Sequence, residues 1–302
     1  MIRVYKNGNY MVLFNLSNGT RIRSTIDKDA TEFIPEFAEN MDIKITNRCT
    51  GTNCAWCHEG SSSCGKHADL NEPFIDTLKP YQEVALGGGN VLEHPDLLSF
   101  LKKLKNMKVI ANITLNQIHF EQNYELVKRL ADEHLIYGLG VSLVDPTDEF
   151  ISKVKQFPNA VIHVINGVLS KRQAERLYDK GLKILILGYK HLRRGNDWYK
   201  ESIEVYDDNY SWLYNEIGKF AEHFEVVSFD NLAISQLAIR RLLTDGEWDK
   251  FYAGDDGTHT YYIDMVNRQF AKSSTAPFDK RYDLLDDVVE MFDIIRTEES
   301  NV

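Results

Sequence analysis

From residue 41 onward, short apolar runs alternate with amphipathic stretches of helical length. The runs are Met41–Thr46, Glu83–Leu86, Val109–Leu115, Tyr137–Leu143, Ala160–Ile165 and Leu182–Leu187. Between them, Pro95–Leu104 carries leucines at helical spacing behind a proline suited to a first turn. Glu121–Glu133, Asp148–Gln156 and Ser170–Lys180 have the same period, with Ser170 placed as an N-cap and Gly181 as a stop. Six strand–helix units in one direction predict a parallel sheet with right-handed crossovers. Near-continuous apolar strands such as Leu182–Leu187 predict burial on both faces. The α/β class follows, as a partial (β/α)6 TIM-type barrel or an open doubly wound sheet.

The flanks differ. Asn7-Gly8 and Asn18-Gly19 are turn signals among β-formers such as Tyr10–Phe14, so residues 1–27 predict a small antiparallel ribbon. Residues 28–40 read as an acidic connection. After residue 200, residues 207–223 and Leu232–Leu243 read as helices and Glu225–Phe229 as one more strand. Thr258–Asp264 reads as part of an antiparallel pair, and Arg281–Thr297 as a last helix. The expected organisation is an N-terminal hairpin and linker (1–40), a barrel core (41–200) and an α+β extension capping the barrel (201–302).

The 302-residue chain is 43% hydrophobic, enough for one large core. It has no apolar run of membrane-spanning length, and Met1–Gly8 lacks the apolar core of a secretion signal. A cytoplasmic location is expected. A net charge of −10 argues against broad nucleic-acid binding, which needs a basic surface.

Chemistry concentrates after the first core strand, where loops of α/β folds carry active sites. Cys49, Cys54 and Cys57 lie within nine residues, and Cys64 follows shortly. Three thiolates can hold three corners of an iron–sulfur cluster and leave the fourth open for a ligand. A structural zinc site would recruit a fourth ligand, Cys64, His58 or His67. A third alternative is four cysteines without a shared role.

Cys49-x4-Cys54-Ala-Trp56-Cys57 resembles the cluster motif of the radical S-adenosylmethionine (radical SAM) enzymes. That motif usually reads Cys-x3-Cys-x-aromatic-Cys, directly after the first strand of a six-unit partial barrel. The chain departs from it by one extra residue between the first two cysteines. The resemblance covers roughly residues 41–190. It implies that Cys49, Cys54 and Cys57 bind a [4Fe–4S] cluster whose open iron takes SAM, with Trp56 near the adenine. Gly87, Gly88, Gly89 and Asn90 follow the second strand. Glycines let a ligand approach the backbone, although such a run alone can be an ordinary turn. In the family a run at this position binds the methionyl amino group. Ser142, Asn166 and Tyr189, at the fourth, fifth and sixth strand ends, become candidate SAM contacts.

The resemblance further implies reductive cleavage of SAM by an external one-electron donor of flavodoxin or ferredoxin type. The resulting radical takes hydrogen from a small-molecule or peptide substrate. No catalytic side chain is assigned. Lys190, Arg193 and Arg194 form a local basic cluster, and Asn112, Asn116, His119 and His163 are polar residues on or after strands. No cysteine follows Cys64, so no auxiliary cluster is expected.

Overall fold

The computed structural model describes residues 2–52 and 54–299. Two sheets organise them. β1 (Ile2–Asn7), β2 (Tyr10–Asn15) and β3 (Arg21–Thr25) form an antiparallel sheet, one strand larger than the expected hairpin. Gly8 and Gly19 turn the chain at φ +58° and +76°, as the Asn-Gly signals require.

The second sheet starts with the six expected strands. They are β4 (Asn40–Thr46), β5 (Glu83–Gly88), β6 (Ile110–Asn116), β7 (Gly138–Ser142), β8 (Ala160–Ile165) and β9 (Lys183–Leu187). Each pairs in parallel with the next. The intervening helices are α1 (Leu97–Asn106), α2 (Gln117–Gln122), α3 (Tyr124–Asp132), α4 (Asp148–Val154) and α5 (Lys171–Leu177). Ser170 caps α5 in a reciprocal capping box with Gln173. After β9 come α6 (Arg194–Glu201) and α7 (Ile203–Glu222), then β10 (Val226–Phe229), parallel to β9.

α8 (Asn231–Gln236) and α9 (Asp245–Phe251) lead to β11 (Thr260–Asp264), β12 (Gln269–Ala271) and β13 (Tyr282–Asp283), and α10 (Val288–Glu299) ends the chain. β11 and β12 form the expected antiparallel pair. β11 also lies parallel against β4 on its free edge, Met41 beside Tyr261. The sheet order is therefore β10-β9-β8-β7-β6-β5-β4-β11-β12-β13. The sheet is open: among the described residues its end strands, β10 and β13, do not pair with each other.

The expectation of equal burial on both faces is corrected. Along β5, β8 and β9 fully buried residues alternate with half-buried ones. One face carries Met41, Ile43, Val84, Leu86, Ile162 and Ile186 into the main core. The other carries Asp42, Asn112, Thr114 and His163, so a polar face remains partly open to solvent.

The N-terminal sheet sits at the amino ends of these strands. Tyr10, Val12, Phe14 and Leu16 pack over Ile110, Tyr81 and Tyr137. Arg21 and Arg23 pair with buried Glu39, just before β4, and Arg21 also pairs with Glu83 at the start of β5. The opposite ends of the strands, where the cysteine loop emerges, are left free. Among the described residues no helix is long and apolar enough to cross a membrane.

Candidate active site

The loop after β4 folds back on itself. Asn47 N–H donates to Lys66 O at 3.0 Å, Cys49 N–H to Ser62 O at 2.8 Å, and Ser62 N–H to Asn47 O at 3.1 Å. Gly65 lies against this seam. A Cβ there would stand 2.1 Å from Asn47 O, so no other residue fits.

Cys49, Cys54 and Cys57 are half-buried, whereas Cys64 is exposed. The strand end of β6 supplies their polar contacts. Asn116 Nδ2 donates to Cys54 Sγ at 3.4 Å, and His119 Nε2 lies 3.4 Å from Cys49 Sγ. Thr52 Oγ1 lies 3.2 Å from Cys49 Sγ. Burial pushes the Cys49 and Cys54 thiols up, so neither is a ready thiolate without a cation beside it. Among the described residues no three His, Cys, Asp or Glu side chains are grouped as for a single metal ion.

Gly87–Asn90 is stitched to the same loop. Gly89 N–H donates to Thr46 O at 2.7 Å and Asn90 N–H to Arg48 O at 2.8 Å. Glu93 accepts from Thr50 N–H and Oγ1 and from Asn90 Nδ2, at 2.8, 2.8 and 3.0 Å. The three glycines differ. At Gly88 (φ +109°) a Cβ would stand 2.2 Å from Thr46 O, and at Gly89 2.1 Å from Arg48 O. At Gly87 a Cβ would meet nothing within 4 Å. Gly88 and Gly89 let two backbones touch, while Gly87 borders open space where a ligand can reach the backbone.

The basic cluster after β9 closes over the loop. Arg194 donates to Cys54 O at 3.1 Å and Ser61 O at 2.9 Å, and Arg193 to His58 O at 2.8 Å. Lys190 instead donates to Ser274 Oγ at 3.0 Å, beyond β12. Tyr189 is buried, its hydroxyl on Gly195 O at 2.5 Å. Its backbone is gripped by Gln236, which also takes Asn166 Nδ2 at 3.0 Å. Asn166 is fully buried, and its Oδ1 has no partner. Ser142 is half-buried at the end of β7, level with Asn116 and His163.

Beneath the loop lies a buried ionic knot that the sequence reading missed. Lys44 Nζ reaches Glu59 at 2.8 Å and Asp264 at 3.1 Å, and Arg281 lies 3.7 Å from Asp264. Burial pushes the Glu59 carboxyl up, but His58 and Lys44 outweigh it and hold it well below the usual carboxylate range. A lysine inside an apolar strand was the available signal. Gln236, on an unremarkable helix, had none.

On the polar face, Asp42 keeps access to solvent while walled in by protein. Burial, with Asp256 and Asp230 adding and Lys190 opposing, pushes its carboxyl up to about 6. His163 is pushed down to about 4 by burial and stays neutral. Its ring lies over Gly140, where a Cβ would be 2.4 Å from Cε1.

The structure thus brings Gly87–Asn90, Asn116 and His119 to the cysteine loop, and Arg193 and Arg194 grip the same loop from after β9. Trp56 and Tyr189 are linked through Trp198, and Ser142 and Asn166 lie at or just after the ends of β7 and β8.

No protein-family model matches the chain, and no curated protein matches it. Solved structures do. SuiB of Streptococcus suis, bound to S-adenosylmethionine, superposes with a TM-score of 0.57 at 13% identity, over 97% of this chain and 86% of that one. SuiB bound to the precursor peptide SuiA superposes with a TM-score of 0.53 at 13% identity, over 90% and 83%. At this identity the likeness is one of fold.

Proposed function

We propose that the chain is a radical SAM enzyme. Cys49, Cys54 and Cys57 would hold a [4Fe–4S] cluster, and Gly87, Gly88, Gly89, Asn90, Trp56, Ser142, Asn166 and Tyr189 would frame SAM. The observation that carries this reading is the pairing of a three-cysteine loop with a glycine run hydrogen-bonded to it. The residues present fit both groups. Cys49, Cys54 and Cys57 stand half-buried on one short loop while Cys64 is exposed, a three-thiol set that suits a cluster with one open iron better than a four-ligand zinc. Gly87 offers open backbone, and the orphaned Asn166 Oδ1 calls for a donor such as an amine. When bound, the cluster and SAM supply a 5′-deoxyadenosyl radical that takes hydrogen from the substrate.

The protein's own part is positional. Arg193 and Arg194 pin the loop from β9, Glu93 ties it to the glycine run, and the Lys44–Glu59–Asp264 knot fixes it from below. Asn116 donates toward the Cys54 sulfur, which would stabilise thiolate once metal binds, and the His119 ring lies against the Cys49 sulfur. We read the sheet as a partial barrel. The Lys190–Ser274 bond joins regions after β9 and β12, which are seven strands apart in the sheet order, and a flat sheet could not bring them together. The polar concave face, with Asp42, Thr114 and His163, would then face the substrate.

A peptide substrate is favoured over a small molecule by the fold shared with SuiB, which binds a precursor peptide. A flavodoxin- or ferredoxin-type donor would supply the electron. Four free cysteines and an oxygen-sensitive cluster suit the reducing cytoplasm.

Anaerobic reconstitution with iron and sulfide tests the ligand set. The expected product is brown and holds about four irons per chain, and Cys54→Ala loses them. A colourless protein holding one zinc, released by Cys64→Ser, would favour a zinc-stabilised binding protein instead.

A further inference from the structure

Fifteen tyrosines and four tryptophans are present, and six of these rings form one continuous file. It begins at Trp56, inside the cysteine loop. Trp56 and Trp198 have ring centroids 5.8 Å apart, Trp198 and Tyr189 5.7 Å, and Tyr189 and Tyr206 5.0 Å. Tyr206 and Tyr210 follow at 6.1 Å, stacked, and Tyr210 and Tyr214 at 5.8 Å. Tyr206, Tyr210 and Tyr214 recur every fourth residue, on one face of α7. The file leaves the buried interior at half-buried Tyr214, whose ring lies 4.2 Å from the Arg241 guanidinium.

On the reading of the cysteine loop as an iron–sulfur site, we infer that this file is a hole-transfer path that drains oxidising equivalents from the loop to the surface. Two features exceed what packing requires. First, the order is directional: two indoles at the loop, then four phenols outward. At neutral pH an indolyl radical oxidises a phenol, so the sequence of rings runs downhill toward solvent. Second, the path has a single neck. Side contacts through His191 and Tyr199 also enter Tyr206, and Gly167 makes room for it. A Cβ at Gly167 would stand 2.2 Å from the Tyr206 ring.

The chemistry balances one electron and one proton at a time. A hydroxyl radical produced at the loop takes a hydrogen atom from the Trp56 indole N–H and leaves as water. The indolyl radical regains it through Trp198 from a tyrosine O–H, and the phenoxyl passes outward to Tyr214. There an external thiol donates hydrogen, restoring the phenol and leaving a thiyl radical.

The test needs no cluster. A ruthenium polypyridyl photo-oxidant is tethered to Cys57, beside Trp56, in metal-free full-length protein whose other three cysteines are serine. Flash oxidation is expected to give a tyrosyl signal in electron paramagnetic resonance. It is also expected to give oxidation products at Tyr214 by peptide mass spectrometry. Tyr206→Phe, which keeps the ring but cannot be oxidised to a phenoxyl, is expected to abolish Tyr214 oxidation and leave Trp56 oxidation intact. Half-buried Tyr252, outside the file, reports freely diffusing oxidant and should not change between the two proteins. Equal Tyr214 oxidation in both, or none in the parent, overturns the inference. The same comparison in native-cysteine protein loaded with iron and treated with hydrogen peroxide guards against a folding defect in the serine background. Failure to bind iron would count against the cluster reading alone.

Discussion

Gly87 and Gly88 are neighbours with opposite duties. A methyl at Gly88 would enter Thr46 O and must also hold φ at +109°. Gly88→Ala should cost about 2–3 kcal/mol and lower the melting temperature. Gly87 borders open space, so Gly87→Ala should melt like the parent, while anaerobic calorimetry should show SAM bound about tenfold more weakly, or ~1.4 kcal/mol. A reversed pattern would mean that the run is only a turn. The run and the three cysteines were legible in the sequence because each rests on local spacing. Lys44, Glu59 and Asp264 were not, because a buried ion pair between distant segments leaves no local period. Trp56 was legible as a neighbour of Cys57, but its place in a file of rings depends on α6 and α7 packing behind it.

At the scale of elements, the N-terminal sheet and the strand ends it covers share a buried charge network. His259, just before β11, lies 3.4 Å from the Tyr10 hydroxyl and 3.8 Å from Glu39. Burial, with Arg23 and Arg21 adding and Glu39 opposing, pushes its imidazole down to about 4. The unfolded chain therefore binds a proton near pH 6.5 that the folded chain refuses until about pH 4. The stability involved is present above 6.5 and is lost as pH falls through that window, on the order of 3 kcal/mol. Denaturant melts from pH 7 to 4 should show this fall, and His259→Gln should flatten part of it. Ser170→Ala removes the oxygen that caps α5 and should cost about 1 kcal/mol by the same measurement. That cap was readable because capping is local. The third strand of the N-terminal sheet was implied by two Asn-Gly turns but counted as a hairpin.

For the whole molecule, the six strand–helix units were legible because each is a short-range pattern. The position of β11 was not. Its partner β4 lies some 220 residues earlier, Met41 against Tyr261, and parallel pairing over that span has no sequence signature. The pairing matters to the cysteine loop, since β11 delivers Asp264 to Lys44, which also holds Glu59 of that loop. Asp264→Ala leaves buried Lys44 and Arg281 short of a counter-charge. It should destabilise the fold by about 3 kcal/mol in thermal melts and reduce iron retention after reconstitution. Unchanged iron retention would reduce the knot to a scaffold remote from the loop.

The loop and the glycine run are proposed to cleave SAM together. The most direct measurement is 5′-deoxyadenosine formation by anaerobically reconstituted protein given SAM and dithionite, followed by chromatography with mass detection. The parent protein should form 5′-deoxyadenosine and methionine, and Cys54→Ala should form neither. No 5′-deoxyadenosine from fully iron-loaded parent protein, or equal amounts from parent and Cys54→Ala, would contradict it.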